Sequence, residues 1–164
     1  MRIENDFKDF LSYLNKKRVN YCIAGGFSVI YYSRPRYTGD LDILIESSLE
    51  NSKKIYEAMK EFGADVSNIE PDYFNIPGNF YQIGVTPVQI HILTSATGVN
   101  TRKVLKNKVK AEYGDTTVYF IALGDLLKNK KATGRFMDKL DVRALKLAKE
   151  KKKSERKRRI KNKG

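Results

Sequence analysis

Two short motifs, separated by 13 residues, contain the side chains and backbone most suited to chemistry. Gly25-Gly26 follows a short apolar run, and Asp40-Leu41-Asp42 opens the next one. Without side chains, the N–H groups at a helix N-terminus can approach a phosphate closely. In an extended strand, alternate carboxylates point to one face about 7 Å apart, where they can share divalent cations. Mg²⁺ held by one or two carboxylates plus substrate phosphates is typical of phosphoryl-transfer sites. Each motif alone has a second interpretation, a simple turn for the glycines and a solvated strand edge for the aspartates.

The elements that would position these motifs alternate between helices and strands. Apolar spacing predicts a helix over 4–17 and strands at 21–24 and 41–45. A helix over 50–62 would be capped by Ser47 or Ser48 and would end at Gly63. The other predicted elements are a helix at 27–32, a loop with one short strand at 64–79, a hairpin of 80–83 with 88–93, a short basic helix at 100–108, a hairpin of 109–113 with 116–121, and helices at 123–132 and 138–152. This order predicts an α/β domain with a mixed sheet.

The segment AGGFSVIYYSRPRYTGDLDILI resembles the signature of the nucleotidyltransferase superfamily, whose members have the polymerase-beta-like fold. The run Arg36-x-Thr38-x-Asp40-x-Asp42 is similar to one found in small bacterial relatives of antibiotic nucleotidyltransferases and of abortive-infection nucleotidyltransferase toxins. Two further segments, GVTPVQIHILTSATGV and NKKATGRFMDKLDVRAL, resemble later stretches of the same proteins. The resemblance therefore covers roughly residues 20 to 145.

The resemblance implies a nucleotidyltransferase fold, with a mixed β-sheet flanked by helices and closed by C-terminal helices. It implies transfer of NMP from an NTP to an acceptor, with Mg²⁺ or Mn²⁺ held by Asp40 and Asp42. The nucleotide-binding residues that it implies are Gly25, Gly26, Ser28, Arg36, Thr38, Lys130, Arg135 and Asp138. Asp138 and Asp141 would lie one helical turn apart, facing Lys130 or orienting Arg135. A surface charge network on the last helix is the alternative for those two aspartates.

His91 departs from the family pattern, because the third strand normally carries Asp at this position. Imidazole is a poor ligand for Mg²⁺ but suits Mn²⁺ or Zn²⁺, and it could act as a general base. We expect His91 to converge with Asp40 and Asp42 as a catalytic and metal-binding residue. Gln89 would lie on the same strand face without supplying a charge. The alternative is that the histidine removes metal affinity and leaves a nucleotide- or RNA-binding pseudoenzyme.

The formal net charge of +13 is concentrated at the C-terminal end of the chain. Residues 146–164 contain eleven Lys or Arg and two Glu, which leaves +4 for the remaining residues. We expect 1–148 to form the nucleotidyltransferase-like domain and 149–164 a disordered or fraying basic tail, because the tail has little apolar surface to bury. Electrostatic attachment to RNA or tRNA is one interpretation of this tail, and a solvated segment that aids solubility is the other.

Composition narrows the protein class further. The sequence contains no run of about 18 apolar residues, and no secretory signal is evident, so we expect no membrane association. The single cysteine, Cys22, excludes an intramolecular disulfide and favours a reducing, cytoplasmic compartment. The acceptor, the preferred NTP, the oligomeric state and the need for a partner protein are left open. A role in toxin or defence systems is implied only by the resemblance.

Overall fold

A six-stranded mixed sheet forms the centre of the protein, and a computed structural model describes it over residues 4–161. The strands are β1 (Tyr21–Ile23), β2 (Asp40–Ile45), β3 (Phe80–Val85), β4 (Val88–Leu93), β5 (Val109–Tyr113) and β6 (Thr116–Phe120). Their order in the sheet is β3-β4-β2-β1-β6-β5. Strand β2 is parallel to β4, β1 is parallel to β6, and the other neighbours are antiparallel. Both predicted hairpins and the mixed α/β architecture are confirmed.

Six helices accompany the sheet. They are α1 (Asn5–Lys16), α2 (Gly25–Tyr32), α3 (Leu49–Phe62), α4 (Thr101–Asn107), α5 (Leu123–Thr133) and α6 (Phe136–Lys161). The predicted signals at the ends of α3 are confirmed, since the Ser48 side chain accepts a hydrogen bond from the Asn51 N–H at 3.2 Å. The helix ends at Gly63, whose positive φ of 91° is readily adopted by a residue without Cβ.

Strand alternation divides the apolar side chains between two cores. Leu41, Ile43 and Ile45 of β2 belong to the core that contains the buried faces of α1 and α3. Leu44 belongs to the opposite core, with side chains of α2, α4, α5 and α6. Asp40 and Asp42 share the parity of Leu44, so the sheet presents both carboxylates toward the α2, α5 and α6 side.

The strand predicted within 64–79 is wrong, because this segment contains a single 3₁₀ turn at Tyr73–Asn75. Phe74 is fully buried, and its N–H donates to the Ser52 hydroxyl of α3 at 2.9 Å. The same hydroxyl donates to the carbonyl oxygen of Pro71 at 2.7 Å. Side-chain hydrogen bonds to α3 thus satisfy backbone groups that a strand would have paired with a neighbouring strand.

The last helix is longer than the sequence pattern predicts. It begins at Phe136 instead of residue 138 and continues to Lys161 instead of ending at 152. Residues 151–161 are exposed, but Lys, Arg and Glu are good helix formers, and extension of an existing helix avoids the nucleation cost. The division of the chain at 148 into a domain and a basic tail stays a prediction. No helix within residues 4–161 is long and apolar enough to cross a membrane.

Candidate active site

A cleft of about 790 Å³ opens between the sheet and the last two helices. One wall contains the start of α2 and the polar residues of β2 and β4. The other wall contains the end of α5 and the start of α6. The predicted site residues that line this cleft are Gly25, Gly26, Arg36, Thr38, Asp40, Asp42, His91, Lys130, Arg135 and Asp138. The fold therefore brings together residues that are up to 113 positions apart.

The register of β2 against β4 places His91 directly opposite Asp42. The His91 Nδ1 and the Asp42 Oδ1 are 3.0 Å apart, and both side chains are largely buried. A carboxylate only accepts, so Nδ1 carries the proton in this hydrogen bond and Nε2 is left as the acceptor. The bond to Asp42 raises the pKa of His91, burial opposes this, and the negative charges of Asp42 and Asp40 add to the increase.

Gln89 takes the equivalent position opposite Asp40. In the amide orientation that satisfies both ends, Gln89 donates to Asp40 Oδ1 at 3.1 Å and accepts from the Thr86 N–H at 3.0 Å. Each carboxylate of β2 is thus paired with an uncharged or ionisable nitrogen donor of β4. The predicted convergence of Asp40, Asp42 and His91 on one side of the sheet is present in the structure.

The Gly25-Gly26 pair lies against these residues because no side chain fits there. Gly25 has a φ of 61°, and a Cβ on it would overlap Asp42 Oδ2. A Cβ on Gly26 would lie 2.6 Å from the Thr38 hydroxyl oxygen and 3.0 Å from Arg36 Nη2. Ala24 precedes α2 and offers no side-chain cap, so the N–H groups of the first turn face the cleft region without one.

Ser28 lies outside this group. Its side chain is fully buried, and its hydroxyl donates to the carbonyl oxygen of Ile23 at 2.8 Å. We therefore assign it no nucleotide contact. A hydroxyl on the second helical turn instead bonds back to the strand that precedes the helix, which sequence spacing alone does not distinguish from a position in the cleft.

The second wall of the cleft is an ion-pair network. Lys130 Nζ lies 2.8 Å from Asp138 Oδ1 and 3.0 Å from Asp141 Oδ2, and all three side chains are buried. Arg135 Nε donates to Asp138 Oδ2 at 3.0 Å, and Arg36 Nη2 donates to Asp141 Oδ2 at 3.2 Å. The two aspartates thus face Lys130 and orient both arginines. Because they are buried, the alternative of a surface network does not describe them.

Electrostatics distinguishes the cations of this network. Burial raises the pKa of Asp138, but hydrogen bonds from Lys130 and Arg135 outweigh it and hold that pKa below its ordinary value. Lys130 shares its charge with two carboxylates, whereas the Arg135 side chain is 77 % exposed and contacts only the edge of the network. Arg135 is therefore the cation with most freedom to meet a ligand.

Two solved structures resemble this one over most of its length. A lincosamide antibiotic adenylyltransferase, LnuA, crystallised with lincomycin, has a TM-score of 0.58 at 15% sequence identity, and the match covers 87% of this chain and 96% of that chain. A provisionally named nucleotidyltransferase from Thermotoga maritima has a TM-score of 0.54 at 17% identity, covering 96% and 91%. The protein has the nucleotidyltransferase fold. No protein-family model matches the sequence, and no curated protein sequence is significantly similar to it.

Within this nucleotidyltransferase fold, the donor set fits a cation only in part. Residues 4–161 contain no cluster of three or more His, Cys, Asp or Glu side chains that could hold a metal ion. Asp40 and Asp42 supply carboxylate oxygens, and the space that a Gly25 Cβ would fill leaves Asp42 Oδ2 accessible. Such a pair suits Mg²⁺, which commonly takes its other ligands from substrate phosphates and water.

Exposed aromatic side chains beside the cleft escaped the sequence-based prediction. Tyr37 follows Arg36 and Phe136 follows Arg135, and both rings line the cleft. The available signal was their position next to candidate cations. Sequence patterns treat an isolated aromatic residue as a candidate for the core, and only the packed structure leaves these two rings outside it.

Proposed function

We propose that the protein is a metal-dependent nucleotidyltransferase that moves NMP from an NTP to an acceptor and releases pyrophosphate. The observation that carries this proposal is the contact of Gly25 with Asp42 in a cleft that also contains Asp40 and a cationic wall. Uncapped N–H groups and arginines suit a triphosphate, and paired carboxylates suit the cation that accompanies it.

The proposed reaction assigns distinct tasks to the residues of the cleft. Gly25 and Gly26 would admit the triphosphate to the start of α2, and Arg135 would bind its oxygens. Asp40 and Asp42 would hold the divalent cation, which when bound neutralises phosphate charge and aligns the attacking oxygen. The acceptor oxygen bonds to the α-phosphorus as the bond between that phosphorus and the bridging oxygen breaks, and pyrophosphate leaves.

His91 would receive the acceptor's proton in place of the carboxylate that the family has on this strand. Asp42 accepts from Nδ1–H at 3.0 Å, which leaves the Nε2 lone pair for the proton. This hydrogen bond also fixes the orientation of the ring.

Transfer of label from NTPs tests the proposal. We expect radiolabelled product with Mg²⁺ or Mn²⁺, with total RNA as the acceptor mixture, and loss of that product in Asp40→Asn and Asp42→Asn. Asp72→Asn is the matched control, because it makes the same change at an exposed position outside the cleft. Product formation that persists in both cleft variants would contradict the proposed roles of the carboxylates.

RNA is the acceptor that the charge of α6 favours. This helix starts in the cleft at Phe136 and extends 26 residues, about 39 Å, through an exposed and strongly basic segment. Phosphate contacts along such a helix would release counterions and make binding salt-dependent. Changing Lys151, Lys153 and Lys157 together to Gln should lower RNA affinity and reduce the slope of log K against log salt by about 2. An unchanged slope would contradict a role for this segment in RNA binding.

A second candidate function is a nucleotide- or RNA-binding pseudoenzyme. The pairing of both carboxylates with Gln89 and His91 favours it, since neither partner supplies the third negative charge. Binding of labelled NTP or RNA without transfer, with Mg²⁺ and with Mn²⁺, would support this alternative over catalysis. Absence of both binding and transfer would leave neither function standing.

A further inference from the structure

The candidate cleft has two large aromatic rings at its surface. Tyr37 is 83 % exposed and Phe136 is 77 % exposed, and these are the highest values for aromatic side chains within residues 4–161. Both residues line the cleft, Tyr37 from the segment before β2 and Phe136 from the first position of α6. Single exposed apolar residues are common on protein surfaces, but two exposed rings at one polar cleft are a specific arrangement.

Each ring follows an arginine that is fixed by the ion-pair network. Arg135 is held by Asp138 and precedes Phe136, and Arg36 is held by Asp141 and precedes Tyr37. Gly134, with a φ of 65°, ends α5 and turns the chain so that α6 starts at Phe136. The position of the Phe136 ring is therefore set by the buried aspartates of α6 and not by a loose loop.

An arginine next to an exposed ring matches the two parts of a nucleotide. The guanidinium suits the phosphates, and the ring suits the flat face of the base. We propose that Phe136 stacks on the nucleobase of the bound nucleotide, with Tyr37 as a second ring at the same cleft. This inference rests on the proposed function and adds the determinant of base binding. Phe136 has no hydrogen-bonding group, so the contact accepts all four bases instead of selecting one.

Because the chain contains no tryptophan, one substitution creates a specific reporter. Phe136→Trp places the only indole at the proposed stacking position, and titration with ATP, GTP, CTP and UTP in Mg²⁺ should quench its emission saturably. Inorganic tripolyphosphate, which carries the charge but no base, should not quench it. Ile76→Trp is the matched control at an exposed apolar position outside the cleft, and its emission should stay constant.

Affinity provides the second measurement. Calorimetry should show that Phe136→Ala weakens ATP binding about tenfold, the range expected for loss of one stacked base, and leaves tripolyphosphate binding unchanged. Tyr37→Ala should weaken ATP binding by a smaller factor. Equal ATP affinity in Phe136→Ala and the unaltered protein, or constant Phe136→Trp emission while ATP binds, would overturn the inference.

The two proposals fail in different ways. Quenching of Phe136→Trp by nucleotides without NMP transfer would support the stacking site and contradict the enzyme. Transfer that is unaffected in Phe136→Ala, with unchanged KM for NTP, would support the enzyme and contradict the stacking site. Absence of any NTP binding to the unaltered protein would overturn both.

Discussion

Replacement of Asp141 by Asn tests the physical role of the ion-pair network directly. Asp141 is fully buried and lies 3.0 Å from Lys130 Nζ and 3.2 Å from two nitrogens of Arg36. The amide keeps the size of the side chain but removes its charge. Lys130 would then keep only Asp138, and Arg36 would lose its carboxylate partner while most of its side chain stays buried.

The expected loss follows from the number and quality of these contacts. Removing one partner of a buried ion pair typically costs about 3–5 kcal/mol, because a charge is left without compensation. Arg36 Nε and Asp141 Oδ1 are close but poorly aligned, and neither has a hydrogen bond to another residue in 4–161. We therefore expect the lower end, about 3 kcal/mol in the free energy of unfolding. For a protein of this size that corresponds to a decrease in Tm of roughly 6–12 °C.

Urea denaturation followed by circular dichroism measures this difference. Glu150→Gln makes the same chemical change at an exposed position of α6 and should alter stability by less than about 0.5 kcal/mol. The double variant Asp141→Asn with Lys130→Met should recover part of the loss, because it removes one of the cations left poorly paired. A loss below about 1 kcal/mol in the single variant, or no recovery in the double variant, would refute the electrostatic argument.

Three further predictions concern the cleft. Gly25→Ala should retain a folded circular dichroism spectrum but lower NTP binding at least about tenfold by calorimetry, because its Cβ would displace Asp42 Oδ2; unchanged NTP affinity would contradict the close approach. His91→Asp should raise Mg²⁺ affinity or NMP transfer, as measured by metal titration and label transfer, since it supplies a third carboxylate; no change in either would separate His91 from the metal site. The depressed pKa of Asp138 contributes stability that is present above the ordinary Asp pKa and lost as pH falls, so the stability advantage over Asp138→Asn should shrink below about pH 4 in urea titrations. A constant difference between pH 7 and pH 3 would show that Asp138 carries no such linkage.

Local patterns in the sequence were sufficient for most of the fold. The four apolar residues Phe7, Phe10, Leu11 and Leu14 recur at helical spacing, and all four are buried on α1. Gly114-Asp115 between two apolar runs predicted the hairpin of β5 with β6. Such elements depend on contacts between near neighbours, so their positions follow from spacing and turn chemistry. The 3₁₀ turn at Tyr73–Asn75 could not be predicted because it depends on Ser52, 19 positions from Pro71.

The candidate site was predictable in its composition but not in its partnerships. Strand parity placed Asp40 and Asp42 on one face, and the family resemblance brought His91, Lys130 and Arg135 into the same hypothesis. Which nitrogen meets which carboxylate depends on strand register and side-chain packing between distant segments. Ser28 illustrates the limit, because its hydroxyl bonds to Ile23 inside the fold and does not reach the cleft.

By itself, the sequence determined the order of helices and strands, the Gly-Gly and Asp-x-Asp motifs, and the concentration of charge at one end. The tertiary structure decided that β4 pairs in parallel with β2, which sets His91 against Asp42 across 49 positions. It also decided that Lys130 is buried between two aspartates while the rings of Tyr37 and Phe136 are exposed. The physical reason is that burial and ion pairing arise from contacts between segments far apart in the chain, whereas a local pattern records only what each segment can form with its neighbours.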